Sequence, residues 1–333
     1  MRYLVTGAAG FIGSHLTHHL VKSGAEVVAV DNFSDYYSPD LKIARETNLI
    51  SPLGLQILRI DLADGNQVAG LLNSNDFDSV IHLAAQPGVR VPLSQHKNYI
   101  SSNLTGYANL LTKVREKGIP NFLYASSSSV YGNSKDQIFS EQVSITDPLS
   151  FYGATKLANE ILAKSGRHES ATKTRGLRFF TVYGAWGRPD MAYFRIVASL
   201  LSGFEFPMFG NGRVLRDFTY VGDAINAITK LDAQLSLEED GHSDVVNIGG
   251  GRPYSLIEMV KVLENILSKK IKSNINSANP NDVTRTCADP KLLKSLIGTA
   301  PETSLQDGLI DVVKWAQCQD VQSKLTQWCG SVS

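Results

Sequence analysis

Tyr3-Leu4-Val5-Thr6-Gly7-Ala8-Ala9-Gly10-Phe11-Ile12-Gly13 decides the fold. Four β-favouring residues run into three glycines spaced three apart, and an apolar helical pattern follows to Lys22. A second β run, Glu26 to Val30, ends at Asp31. Strand, glycine-rich turn, helix, strand and acid in that order form a dinucleotide-binding unit. Gly7 permits the tight turn, Gly10 lets the backbone approach a pyrophosphate, and Gly13 allows close helix–strand packing. Backbone N–H groups at the helix start suit the pyrophosphate. Asp31, about twenty residues after the glycines, suits the hydroxyls of an adenosine ribose and repels a 2′-phosphate, so NAD is expected rather than NADP.

The alternation continues beyond Asp31. Leu55–Ile60, Ser79–Leu83, Phe122–Ala125 and Leu177–Phe180 read as strands, with helices over Ser94–Glu116 and Phe151–Lys164. Strands separated by helices imply an α/β fold, a Rossmann-type doubly wound parallel sheet with ligands at the C-terminal strand ends. After Thr181 the rhythm loosens. Residues 184–190 are loop-like, Tyr193–Ser202 is helical and residues 209–212 form a turn. Arg216–Val221 and Val245–Ile248 read as strands, with helices over Asp223–Ala233, Ser255–Leu267 and Ser304–Ala316. Residues 1–180 with about 214–248 are assigned to the dinucleotide-binding domain. About 181–213 and 249–333 form a smaller C-terminal α/β lobe over the substrate.

The totals narrow the function. The 333 residues are 43% hydrophobic and carry 32 basic against 32 acidic side chains, which argues against a nucleic-acid partner. No apolar run approaches the roughly 20 residues that span a bilayer, so no membrane association is expected. The early motif leaves no stretch for a signal peptide. Cys287, Cys318 and Cys329 lack metal-ligand spacing and read as reduced thiols, which points to the cytoplasm. His15, His18 and His19 read as a solvated helix face, and no metal is expected.

Tyr152-Gly153-Ala154-Thr155-Lys156 supplies chemistry. Positions i and i+4 share a helix face, so Tyr152 and Lys156 project together. Holding a tyrosine as phenolate at pH 7 requires about 4 kcal/mol, part of which a nearby ammonium supplies. Such a tyrosine is a general base for a hydroxyl proton. Ser126-Ser127-Ser128-Ser129, at the end of a β run, is placed to orient that hydroxyl or relay its proton.

Taken together these segments resemble the extended short-chain dehydrogenase/reductase family, in its nucleotide-sugar epimerase branch. The resemblance covers essentially the whole chain and rests on Thr6-Gly7-x-x-Gly10-x-x-Gly13, Asp31-Asn32, Asp61-Leu62, His82-Leu83-Ala84-Ala85, Asn103, the serine run, Tyr152-x-x-x-Lys156 and Arg216-Asp217-Phe218. Residues 31–37, 85–90 and 179–192 look like the corresponding segments of UDP-glucuronate 4-epimerases. The resemblance implies Ser127, Tyr152 and Lys156 as catalytic residues. It implies an NAD site of Gly7, Gly10, Phe11, Ile12, Gly13, Asp31, Asn32, Asp61, Leu62, Ala84, Ala85 and Asn103, with Tyr152 and Lys156. Gln86, Ser128, Ser129, Thr181 and Arg188 fall on the sugar side, Arg188 as a fork for a carboxylate. Arg216 falls on the UDP diphosphate and Phe209 beside the uracil; Asn279 stands where relatives more often hold the nucleotide with Gln or Arg, and Arg285 lies nearby as a further candidate contact.

The activity implied is reversible C4 epimerisation of a UDP-hexuronic acid, through a transient 4-keto sugar with tightly bound NAD. Related 4,6-dehydratases carry Thr-Asp-Glu, and decarboxylases Thr-Ser-Glu, where this chain has Ser127-Ser128-Ser129, so neither acid-driven outcome fits. A 4-epimerase of a neutral or N-acetylated UDP-hexose is the alternative enzyme. A catalytically silent NAD-binding or RNA-binding relative is the alternative class. A homodimer through the helices Ser94–Glu116 and Phe151–Lys164 is also implied.

Overall fold

The computed structural model of the chain describes residues 1–90, 92–132, 136–145, 147–277 and 283–330. Asn279 lies outside the described residues. In chain order the strands are β1 (Arg2–Thr6), β2 (Glu26–Asp31), β3 (Ile57–Arg59), β4 (Ser79–His82), β5 (Asn121–Ser127), β6 (Lys173–Phe179), β7 (Thr181–Tyr183), β8 (Phe206–Phe209), β9 (Leu215–Tyr220), β10 (Ser243–Ile248), β11 (Pro253–Ser255) and β12 (Ser273–Asn276).

Seven of them form a parallel sheet in the order β10-β6-β5-β4-β1-β2-β3. Strand order reverses between β4 and β1, and a doubly wound sheet binds its ligands in the crevice at such a switch point. The central strands are buried on both faces, every residue of β4 among them, because helices cover the sheet on either side. One core holds Val5, Leu16, Ile81 and Leu123 with the helix Val221–Leu235. Another holds Leu4, Val80 and Phe122 against the helix Gly106–Glu116.

A second sheet, β11-β9-β7, and a β12-β8 pair build the lobe beyond β6. β9 therefore joins the lobe while β10 closes the main sheet, which divides the 214–248 segment that the sequence reading kept together. A third core, including Tyr183, Phe194, Met259 and Trp315, packs the lobe.

Three sequence expectations are corrected here. The helix expected over Ser94–Glu116 is interrupted: α-helical at His96–Tyr99, it widens to a π turn over Ile100–Thr105 before resuming at Gly106. β6 begins at Lys173, well before the expected Leu177, because Arg175 and Arg178 are buried as ion pairs inside it. Of the three histidines assigned to a solvated face, only His19 is exposed. His15 bonds the Ala185 carbonyl at 2.9 Å and His18 the Leu49 carbonyl at 2.8 Å.

The glycine turn is set by space. A Cβ on Gly13 would lie 2.1 Å from the Gly7 carbonyl oxygen, and Gly7 itself has φ 71° with Ala84 N 2.6 Å from any Cβ it might carry. Gly13→Ala is expected to cost at least the roughly 1–3 kcal/mol of core overpacking, read as a lowered urea midpoint. An unchanged midpoint would show that the helix stands further from the turn than this.

Candidate functional site

The loops that follow the main-sheet strands converge on one cavity of about 790 Å³. Its first wall is the glycine turn. Gly10 precedes the helix Phe11–Lys22 and no side chain caps that helix, so the first-turn N–H groups at the cavity wall are left for an anion. At the end of β2 the buried Asp31 accepts the N–H of Ala9 at 3.1 Å and of Phe33 at 2.7 Å. Lys42 Nζ stands 3.7 Å from that carboxylate and donates to Ser34 Oγ at 3.0 Å. Asp61, Leu62, Ala84 and Ala85 follow β3 and β4 along the same wall.

The second wall carries Ser127 and Tyr152. Ser127 ends β5 and its Oγ accepts the N–H of Ser129 at 3.1 Å, which fixes the turn Ser128–Tyr131. Ser150 caps the helix Phe151–Ser165 by accepting the Gly153 N–H at 3.0 Å. A Cβ on Gly153 would meet the Ser129 carbonyl oxygen at 2.6 Å, so the glycine lets the helix start sit directly on the serine turn. Behind it, Ser126 Oγ donates to Glu160 at 2.5 Å, and Arg178 grips the same carboxylate at 2.9 and 2.7 Å.

The electrostatics differ from the sequence expectation. Burial pushes Tyr152 above its ordinary value, while the Arg188 charge and a hydrogen bond from Ser127 pull it back. Lys156, the residue expected to do that work, is fully buried and donates to the Ala125 carbonyl at 2.8 Å, with Nζ 5.9 Å from the Tyr152 ring centre. Burial brings Lys156 itself down to about 7. Below it, His82 is held neutral: burial, with the Lys156 charge adding to it, lowers His82 to about 3, and its Nδ1 pairs with Thr6 Oγ1 at 2.7 Å.

Arg188 reaches the cavity from the loop after β7. Asp190 holds its Nε at 3.0 Å and its Nη2 at 2.5 Å. Burial raises Asp190, yet the Arg188 guanidinium and a hydrogen bond from Tyr36 leave it below the ordinary carboxylate range. Thr181, Ser128, Ser129 and Arg216 line the same cavity, and the Arg90 guanidinium lies 5.0 Å from the Phe209 ring centre.

Not every expected residue lines the cavity. Asn103, within the π turn, is 1% exposed; its amide pairs with both backbone groups of Gln86 and donates to Thr155 Oγ1. Asn103 thus ties the loop after β4 to the Tyr152 helix, and Gln86 is held behind the wall with it. Arg285 also lies off the lining. Sequence reasoning missed Tyr36, Lys42, Arg90 and Asp190, which do line it. Tyr36, Arg90 and Asp190 lie in the segments 31–37, 85–90 and 179–192 that carry the family resemblance, Asp190 with the further signal of an acid two residues after an arginine in a loop; Lys42 had none.

Residues 3–249 match the model of the family described as NAD dependent epimerase/dehydratase. A probable UDP-glucuronate 4-epimerase of Rhizobium meliloti is 36% identical over 329 residues, covering 95% of this chain and 96% of that one. The structure of UDP-glucuronic acid 4-epimerase from Bacillus cereus, with UDP-glucuronic acid and NAD, superposes with a TM-score of 0.87 at 34% identity, covering 95% of this chain and 98% of that one. MoeE5, solved with NAD and either UDP-glucuronic acid or UDP-glucose, gives a TM-score of 0.82 at 36% identity, covering 95% of this chain and 99% of that one.

Burial has a consequence for acid stability. His15 is lowered to about 4, chiefly by burial, and His82 to about 3. The unfolded chain, with ordinary histidines near 6.5, binds more protons than the native state below that pH, so stability falls as pH falls from about 6.5 toward 4. The urea midpoint is expected to drop between pH 7.5 and 5, less steeply in His15→Gln. Parallel behaviour of the variant would place the titrating groups elsewhere.

Proposed function

The chain belongs to the NAD dependent epimerase/dehydratase family, and from that membership we propose that it is a 4-epimerase interconverting UDP-glucuronate and UDP-galacturonate. The cleft fits NAD on its own geometry. The helix start at Gly10 carries no side-chain cap, a Cβ there would press to 2.9 Å from the Gly7 carbonyl, and Asp31 closes β2 with a buried carboxylate. Gly7 to Gly13 would hold the pyrophosphate, Asp31 and Asn32 the adenosine ribose, Asp61 and Leu62 the adenine side, and Ala84, Ala85 and Lys156 the nicotinamide end. Bound there, NAD supplies a hydride acceptor and donor that is restored in every cycle, so no net oxidation occurs.

The chain's own residues manage the proton and the sugar. Tyr152 takes the proton of the C4 hydroxyl and returns it, and Ser127, hydrogen-bonded to Tyr152, orients that hydroxyl. Ser128, Ser129 and Thr181 supply hydroxyls around the hexuronate. Arg188 keeps two nitrogens on Asp190 and offers Nη1 to the sugar carboxylate. Arg216 serves the diphosphate, and Phe209 with Arg90 the uracil. The single observation that carries this reading is that Tyr152, Ser127 and the Arg188 cation meet in one cavity, close enough for Arg188 to lower Tyr152.

One observation favours a second reading. Asp190 already neutralises Arg188, so a neutral UDP-hexose would strand no bare cation, and MoeE5 is described with UDP-glucose as well as UDP-glucuronic acid. Incubation of the purified protein and NAD with UDP-glucuronate or UDP-glucose separates the cases. UDP-galacturonate formed faster than the UDP-glucose reaction supports the proposal. The reverse ranking assigns a neutral-sugar epimerase, UDP-xylose a decarboxylase, and NAD binding without conversion a silent NAD-binding protein. Tyr152→Phe is expected to lower kcat by about 10²–10⁴ with substrate still bound. Arg188→Ala is expected to raise KM for UDP-glucuronate or release UDP-pentose; neither change would remove the carboxylate role.

We further infer a cytoplasmic homodimer. Ile100, Ile161 and Leu162 are exposed apolar residues, and Leu104, Ala108, Ala158, Ile161 and Leu162 line a groove between the two helices. The three cysteines are free, and among the described residues no helix is long and apolar enough to cross a membrane. Ile161→Asp is expected to give a monomer by light scattering; a variant that stays dimeric would move the interface elsewhere.

A further inference from the structure

Arg45 is 0% exposed and has no carboxylate partner among the described residues. Its guanidinium is spread instead over four oxygens. Nη1 donates to the Ala9 carbonyl at 3.0 Å and to Tyr37 Oη at 2.6 Å, Nε to the Trp186 carbonyl at 2.8 Å, and Nη2 to the Gly187 carbonyl at 2.8 Å. His15 Nε2 donates to the Ala185 carbonyl at 2.9 Å; its lowered value keeps it neutral, which matches a single N–H directed at that oxygen. Three consecutive carbonyls of one loop are therefore captured by two side chains from the cofactor half of the molecule.

The loop needs such capture. Trp186 has φ 59°, a left-handed conformation rare for an aromatic residue. Strain of that kind persists only where surrounding groups over-determine the backbone. The indole is wedged against Trp315 and Trp328, with ring centres 5.4 and 6.5 Å away, so packing holds one side and Arg45 with His15 the other. Arg188 follows directly after Gly187, two residues on from Trp186. A change in the Trp186 backbone would swing Arg188 and Asp190 away from Tyr152 and Tyr36.

We propose that Arg45, assisted by His15, is a positioning latch that holds the loop Ala185–Gly187 so that Arg188 faces the sugar carboxylate. It touches neither the sugar nor the reacting atoms and acts through Arg188. The inference rests on the hexuronate reading of the cavity.

A double-mutant cycle tests it. Arg45→Met, Arg188→Ala and the double variant are compared with wild type for kcat and KM with UDP-glucuronate, for affinity for UDP, and for retained NAD. A latch acting through Arg188 predicts that Arg45→Met raises KM for UDP-glucuronate by about tenfold alone but less than about twofold in the Arg188→Ala background. Affinity for UDP and NAD content should stay near wild type. Equal losses in both backgrounds, or a loss confined to NAD content, overturn the latch. Should Arg45→Met fail to fold, His15→Leu and His15→Gln decide: the latch predicts a raised KM in the first and rescue in the second, whose amide still donates to Ala185. Identical values for the two overturn it. A wild-type protein that leaves UDP-glucuronate unconverted sinks the hexuronate reading itself, whereas conversion with independent losses sinks the latch alone.

Discussion

Desolvation of charge is the constraint from which the site is built. Three buried arginines, Arg45, Arg175 and Arg178, and the partly buried Arg188 stand around the sheet and its loops, and each must replace the water it gives up. The effective penalty for an ion taken from water is several kcal/mol, so a buried guanidinium without partners is not tolerated. Arg178 is answered by Glu160 of the Tyr152 helix, Arg175 by Asp244 of β10, and Arg188 by Asp190 two residues away. Among the described residues Arg45 is answered by carbonyl and phenol oxygens alone. Because three of these partners are distant in sequence, satisfying each cation also fixes how one element stands against another. Glu160 is the clearest instance: it serves Arg178 and Ser126 at once, so the helix that carries Tyr152 and the strand that ends in Ser127 cannot shift independently.

The same burial that organises the arginines works against the chemistry. A tyrosine withdrawn from water resists ionising, and burial is the largest influence on Tyr152. The counterweights are a cation and a hydroxyl, Arg188 and Ser127, both placed by the networks just described. Lys156 suffers the same penalty in the opposite sense and drifts toward neutrality, with the Ala125 carbonyl as its hydrogen-bond acceptor. Tyr152 and Lys156, the two ends of the shared-face motif, are thus tuned less by each other than by what the fold packs around them.

That difference explains what the sequence could disclose. Gly7, Gly10, Gly13 and Asp31 were legible because their reasons are local: a turn, a helix start and a strand end within about thirty residues. The doubly wound sheet followed from alternation, since parallel strands such as β2 carry an unbroken apolar run, Val27 to Val30. β6 was only half legible, because Arg175 and Arg178 look like surface residues until Asp244 on the neighbouring β10 and Glu160 on the Tyr152 helix are found. The π turn at Ile100–Thr105 left no mark on the apolar periodicity. His15 and Arg45 were unreadable for the same reason: their partners, the carbonyls of residues 185–187, lie more than a hundred positions away and carry no side-chain identity to recognise.

The proposed reaction gives the Arg188–Asp190 pair a meaning beyond neutralisation. Oxidising C4 of a hexuronate places a ketone two carbons from a carboxylate, and such β-keto acids lose CO₂ when the bond to the carboxyl carbon aligns with the ketone π system. Epimerisation succeeds only if that alignment is avoided while the sugar turns over. A lone arginine on a flexible stem would follow the carboxylate wherever it moved. Held on Nε and Nη2, Arg188 presents Nη1 from a fixed direction, so it can dictate where the carboxylate lies. The pair therefore separates two tasks that a free cation would merge: attracting the acid group, which needs charge, and restraining its orientation, which needs rigidity. Asp190 weakens the first to secure the second, and an enzyme whose product depends on keeping a carboxylate it could easily lose has reason to accept that exchange.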